Sequence, residues 1–338
     1  MSSSIAPESG LSSSPVAESA HICLLDESWV AQLSQLLPRR FLVPTNVEAE
    51  ADFLASTRDA LSWLASDIAR ATQSCRGLAI LTGPNIQDLS DGQLCATVYS
   101  ISLLLGRPVS QNSAGEKLVL VANQQGSSSK RARGYQTDEG MLLHSDPSDL
   151  ASLLCLSPSD SGGDSLFASA STIHDAIADT DPGLLPTYYR PWNWNVQNLE
   201  VPGIGGPLQS PIFSVCGGEL SCRYGSSMLR NGFDDAGHPL AGADLEALDL
   251  FEEIARRPDV VLRYRLRRGE SVWMNNYKLL HGRDPFVDDA RGRQVRRFMR
   301  VWVQRHDRPR VAPNFAAFSD QVLSHYPSDC GVTGKLSD

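Results

Sequence analysis

No stretch of this sequence approaches the roughly 18 consecutive apolar residues that a membrane-spanning helix needs, so no such helix is expected. Nor is there an excess of basic residues: 30 Lys and Arg stand against 39 Asp and Glu, a formal net charge of −9. A chain of that sign does not neutralise a phosphate backbone, which argues against nucleic acid as a partner. The seven cysteines are scattered and include no Cys-x-x-Cys pair. This argues against a disulfide framework or a structural zinc site, and for buried, reduced thiols. No internal repeat is visible. The first 20 residues lack the basic start and apolar middle of a secretory signal. They are rich in Ser, Ala and Pro and read as a disordered tail, which leaves residues 21–338 as one expected domain in the cytoplasm.

What is present fits an ordinary water-exposed globular chain: 338 residues, 41% apolar and 20% charged, enough for a substantial core. Leu54, Leu61, Leu64 and Ile68 recur at helical spacing and predict an amphipathic helix over 52–72. Ser90 and Gln93 form a candidate capping box for a second helix, ended by Gly106 and Pro108. Strand-like runs then take over, among them "KLVLVANQ", "MLLHSD", "LASLLCLSP" and "DSLFASA". "STIHDAI" predicts a short helix capped by Ser171 or Thr172. "PIFSVCGGELSCRYG" predicts a hairpin turning at Gly217-Gly218, and "ADLEALDLFEEIARR" a helix stopped by Pro258. The polar loop "QGSSSKRARGYQTDEG" is a candidate lid. The segment "TYYRPWNWNVQNLEVPGIGGPLQS" reads as irregular, a pocket wall or a surface loop. Helices gather early and strands later, which predicts a mainly β core with helices packed outside it, an α+β fold.

The chemistry begins at "MLLHSD". In an extended chain, residues i and i+2 point to one face, so His144 and Asp146 can reach one point in space. A lone His-x-Asp is common by chance. His281, which also ends an apolar run, completes a set of two imidazoles and one carboxylate. Such a set caps one face of an octahedral ferrous ion and leaves three positions open, whereas a structural zinc site closes its shell with four ligands. Arg296 and Arg300 stand four apart on the last strand and point the same way. An arginine inside a β core needs an anion, and a guanidinium suits a carboxylate with two parallel hydrogen bonds. A dicarboxylate co-substrate bound to iron at one end and to Arg296 at the other fits this arrangement.

From about Gly77 to Arg308 the sequence resembles the taurine dioxygenase/clavaminate synthase-like family of iron(II) and 2-oxoglutarate-dependent oxygenases. "LLHSD" is similar to the family's proximal iron segment. "SGGDSLFASASTIHDAI" is similar to its Gly-Gly-x-Thr strand and following helix, with Ser165 in place of Thr. "SVWMNNYKLLHGRDPF" is similar to the distal-histidine segment, and "RRFMRVWV" to the closing arginine strand. The resemblance implies a double-stranded β-helix, a jelly-roll-like two-sheet fold with flanking helices. It implies iron ligation by His144, Asp146 and His281. It places the far carboxylate of 2-oxoglutarate on Arg296, or on Arg297 if the register shifts by one. It further implies a second hydrogen bond from Ser165, and contact of Arg300 with 2-oxoglutarate or an anionic group on the substrate. The implied reaction consumes O2 and releases succinate and CO2 while an unactivated C–H bond of a small molecule is hydroxylated, desaturated or cyclised. A specialised-metabolite intermediate or an amino-acid derivative is the expected substrate. Tyr188, Tyr189, Trp192, Trp194, Arg223 and Tyr224 are candidates for lining its pocket. A non-catalytic small-molecule binder on the same scaffold would bind its ligand without oxygen uptake, and a cupin-like metal-dependent hydrolase or isomerase would work without O2 or 2-oxoglutarate.

Overall fold

The computed structural model describes residues 21–74, 77–123, 137–196, 207–237, 239–289, 291–292 and 294–326. The expected tail, residues 1–20, and residues 125–136 of the candidate lid loop lie outside them, as do residues 197–206 of the aromatic segment. In chain order the first elements are β1 (His21–Leu24), α1 (Glu27–Leu36), α2 (Val47–Gln73), β2 (Leu78–Thr82), α3 (Asp91–Leu105), β3 (Gly106–Val109), β4 (Leu118–Val121) and β5 (Met141–His144). Next come β6 (Leu150–Ser157), β7 (Ser161–Gly162), β8 (Ser165–Ser169), α4 (Ala170–Thr180), α5 (Leu185–Tyr189), β9 (Trp192–Trp194), β10 (Leu208–Ser210), β11 (Phe213–Cys216) and β12 (Glu219–Cys222). The chain continues through α6 (Ser226–Asp235), α7 (Ala243–Ile254), β13 (Leu262–Tyr264), β14 (Ser271–Asn275), β15 (Leu279–Arg283), β16 (Phe286–Val287), β17 (Arg297–Arg305) and α8 (Pro313–Ser324).

Among the described residues, seven strands make a large sheet in the order β1-β2-β14-β6-β17-β3, with β4 also paired to β17. A four-stranded sheet runs β13-β8-β15-β5. The β1–β2 pair is parallel and the other pairs of these sheets are antiparallel. Strand alternation sorts the side chains. On β17, Phe298 and Trp302 join a core shared by both sheets, while Met299, Val301 and Val303 join a second core under the early helices. Strand β14 repeats the rule, with Val272 and Met274 on one side and Trp273 on the other.

Helix α2 extends the predicted 52–72 in both directions. The Asn46 side chain caps its start by accepting from the Ala49 N–H, which recruits the first turn. Helix α3 carries the expected Ser90–Gln93 capping box. Helix α4 begins earlier than expected: Ser169, not Ser171 or Thr172, is its N-cap, without a side-chain capping bond. Part of the aromatic segment is ordered rather than irregular. Trp192 and Trp194 lie on β9, paired to β10, and donate to the carbonyls of Thr187 and Ser210. Both rings, with Tyr188, are fully buried, so they are core rather than pocket wall.

Candidate metal centre

Strand β5 ends at His144, and β15 carries His281 directly opposite it. Directly paired residues of neighbouring strands share a face, so both imidazoles point to the same side, their ring centroids 4.5 Å apart. Gly282 permits this close pairing, because a Cβ there would meet the Met141 carbonyl oxygen at 2.6 Å. Asp146 lies just past β5, on a loop tied down from three directions. Its own N–H donates to Asn276 Oδ1 (3.2 Å). The Ser145 N–H donates to the Tyr224 carbonyl (2.9 Å), and Asp149 accepts from the Tyr277 hydroxyl and the Arg305 N–H.

The result brings one nitrogen of each histidine and a carboxylate oxygen within 4.8 Å of one another. Asp146 Oδ2 is 3.4 Å from His281 Nε2, and Oδ1 is 3.9 Å from His144 Nε2. His144 Nδ1 lies 2.9 Å from the Leu142 carbonyl; donation there fixes the tautomer that leaves the Nε2 lone pair toward the centre. Burial and the neighbouring His281 push the His144 imidazole down to about 4, which keeps it neutral and able to ligate. Burial alone would raise the Asp146 carboxyl, but Arg300 and the two imidazoles outweigh it and hold the group well below the usual carboxylate range.

Two neighbours of Asp146 stand out. Arg300 Nη1 lies 3.7 Å from Oδ1, while its Nε donates to Gln111 Oε1 at 2.7 Å. Trp302, two residues further on the same strand face, donates its indole N–H to Oδ2 at 2.8 Å. Sequence reasoning missed Trp302, Gln111 and Asn276. For Trp302 the signal was present, since it shares strand parity with Arg300.

Arg296, just before β17, is 2% exposed, and its Nε and Nη1 find no hydrogen-bond partner among the described residues. Its guanidinium sits over the Phe298 ring at 3.9 Å and the Phe286 ring at 5.2 Å. Burial, then the nearby Arg283, push it down to about 9. Gly163 makes room for it. That residue has a positive φ (+77°), and a Cβ there would meet Ser159 Oγ at 2.8 Å, with Arg296 Nε 3.5 Å away. Ser165 begins the next strand, buried and paired to Arg283, whose guanidinium also lies over Phe286. Arg297 points the other way and pairs with Asp91 at the start of α3 (3.1 Å).

Arg223 does not reach toward the centre as a substrate handle would. It is wedged over Phe318 and Phe315 and donates to Ser319 Oγ, fastening α8. Tyr224 stacks on Phe251, 3.8 Å between centroids. A cavity of about 310 Å³ between β3, Gln304 and α8 is lined by none of the triad residues.

The triad and the unmet cation form a donor set of two imidazoles and one carboxylate with a buried anion seat on the same core. The profile of the taurine catabolism dioxygenase TauD, TfdA family matches residues 39–302, more than half of the chain. This chain belongs to the TauD/TfdA family. It is an oxidoreductase of the iron- and 2-oxoglutarate-dependent dioxygenase class. Similar proteins include FR-33289 synthase of Streptomyces rubellomurinus, 34% identical over 236 residues that span 67% of this chain and 68% of that relative. A uridine-5'-phosphate dioxygenase of a Streptomyces species is 28% identical over 163 residues, 47% of this chain and 57% of its own. Among solved structures, asparagine oxygenase with Fe(II), 3-hydroxyasparagine and succinate aligns over 84% of this chain and 93% of its own, with TM-score 0.66 and 16% identity. The non-heme iron oxygenase OrfP with Fe and alpha-ketoglutaric acid aligns over 85% and 94%, with TM-score 0.61 and 14% identity. Those structural likenesses bear on the fold. Among the described residues, no helix is long and apolar enough to cross a membrane.

Proposed function

We propose that the protein oxidises an unactivated C–H bond of a small anionic metabolite, an intermediate of specialised metabolism, by hydroxylation or by the related desaturation or ring closure. The observation that carries this reading is the pairing of the His-Asp-His set with a buried guanidinium whose Nε and Nη1 have no partner among the described residues. When bound, iron(II) with 2-oxoglutarate and O2 supplies the oxidising power, and 2-oxoglutarate leaves as succinate and CO2. His144, Asp146 and His281 hold the iron. Arg296 grips the far carboxylate of 2-oxoglutarate, and Ser165 adds a second hydrogen bond. Arg300, beside Asp146, meets 2-oxoglutarate or an anionic group on the substrate. Trp302 orients Asp146, and Phe286 and Phe298, packed against the Arg296 guanidinium, keep water from the anion seat. We assign the two sheets to the family's double-stranded β-helix.

The dioxygenase relative named for uridine-5'-phosphate supports an anionic substrate, as does Arg300. The solved relatives with hydroxylated asparagine or hydroxylated arginine make amino-acid derivatives the second class to screen. Free thiols, four of them buried, support a reducing, cytoplasmic setting. The test loads the protein anaerobically with iron(II) and 2-oxoglutarate, admits O2 with a panel of phosphorylated and amino-acid metabolites, and measures succinate by mass spectrometry. Substrate-stimulated succinate is expected. Tight 2-oxoglutarate binding with no succinate, even uncoupled, would leave a non-catalytic binder instead.

A further inference from the structure

A second group of mixed donors lies far from this centre in sequence. His21 and Cys23 stand i and i+2 on β1, so their side chains leave the strand on the same side. Asp67 rises from the facing surface of α2. His21 Nε2 lies 2.8 Å from Asp67 Oδ2, and Cys23 Sγ donates to that same oxygen at 3.2 Å. One ligand atom from each of the three lies within 4.8 Å of the others. The other carboxylate oxygen is taken by Arg70, one turn further along α2, so Oδ2 is turned toward the imidazole and the thiol. Cys23 is buried, while His21 remains partly open to solvent. A cation can therefore enter from the His21 side.

We propose that His21, Cys23 and Asp67 form a second metal site, for zinc or a similar thiophilic divalent cation, that clips the edge strand β1 to α2. The chemistry favours this over a second ferrous site. A thiolate with an imidazole selects zinc among common cellular cations, whereas the His144 set offers only nitrogen and oxygen. Zinc–ligand bonds of about 2.0–2.3 Å need donors about 3.2–3.8 Å apart, so a small opening of the present contacts admits the ion. Water supplies the fourth position, and the thiol proton passes to solvent on binding. In the sequence only the His21-x-Cys23 spacing was local; the aspartate that completes the set is 44 residues from Cys23, and no pattern announced it.

The site has a structural use. Strand β1 ends the sheet, is paired only to β2 among the described strands, and exposes Ile22 and Leu24. A clip from β1 to α2 pins that edge strand in place.

The experiment uses the full chain carrying His144→Ala and Asp146→Ala, which removes the iron centre, stripped of metal and titrated with cobalt(II). One equivalent is expected to bind with a near-ultraviolet sulfur-to-cobalt charge-transfer band and strong visible ligand-field bands. Adding Cys23→Ser is expected to abolish the charge-transfer band. His21→Gln, at a partly exposed position that should not disturb folding, is expected to weaken binding by more than the roughly ten- to hundredfold that loss of a merely orienting neighbour costs. Zinc is expected to raise the melting temperature of the His144→Ala/Asp146→Ala chain and not of its His21→Gln derivative. Absence of a thiolate band overturns the proposal, as does a band that persists at full strength in His21→Gln with unchanged affinity.

Discussion

The two faces of β17 carry opposite kinds of residue. Toward the early helices it presents Met299, Val301 and Val303, apolar side chains packed in an apolar core. Toward the smaller sheet it presents Arg300 and Trp302, with Arg296 just ahead of the strand, and these groups reach the Asp146 carboxylate or wait for an anion. The outward face is what a stable sheet requires. The inward face places cations and an indole N–H in a core where an unmet polar group costs free energy. That cost is tolerated where a ligand offsets it, so the inward face marks the site and the outward face the scaffold.

Substitutions separate the two faces. Asp146→Ala, on the inward side, should leave two ligands of three, with loss of iron on dialysis and succinate formation at background. Arg296→Ala should weaken 2-oxoglutarate binding by about 3–5 kcal/mol, the scale for breaking a buried ion pair, read by calorimetry on the iron-loaded protein. Arg296→Lys should recover only part, because an ammonium lacks the two-pronged fork. Met299→Ala, one residue from Arg300 but on the other face, should lower unfolding free energy by about 2–5 kcal/mol in urea while the KM for 2-oxoglutarate stays unchanged. A shifted KM there would break the division of labour. Trp302→Phe keeps the apolar bulk and removes the N–H, so it should cut iron affinity by about ten- to hundredfold with little change in stability. Arg297→Ala removes a half-exposed pair with Asp91 and should change stability by less than about 1 kcal/mol, with 2-oxoglutarate binding intact. If Arg297→Ala instead abolished 2-oxoglutarate binding, the anchor would be the wrong arginine.

The same contrast explains what could be read from the sequence. Alternation in "RRFMRVWV" announced a two-faced strand, but it gave no way to choose between Arg296 and Arg297. The choice rests on Asp91, which is 206 residues away and takes Arg297 outward. His144 and Asp146 were legible because their closeness is local. His281 was legible as the end of a second apolar run before glycine. The aromatic segment was misleading for the opposite reason. Its tryptophans are satisfied by Thr187 and Ser210 carbonyls and by the Phe233 and Phe318 rings, and the two rings lie too far along the chain for a local pattern to reveal. Helix α4 started early because the chain leaves β8 directly into it, so the two expected caps, Ser171 and Thr172, already lie inside its first turn.

The placement of β17 has a consequence for biosynthesis. Among the described strands this one is the last in sequence, yet it pairs with β6, β3 and β4 inside the large sheet. A ribosome must therefore release the chain through β17 before the gap between β6 and β3 can be filled. Until then Asp146 lacks its indole partner, and a nascent chain that already displays all three ligands holds its metal loosely.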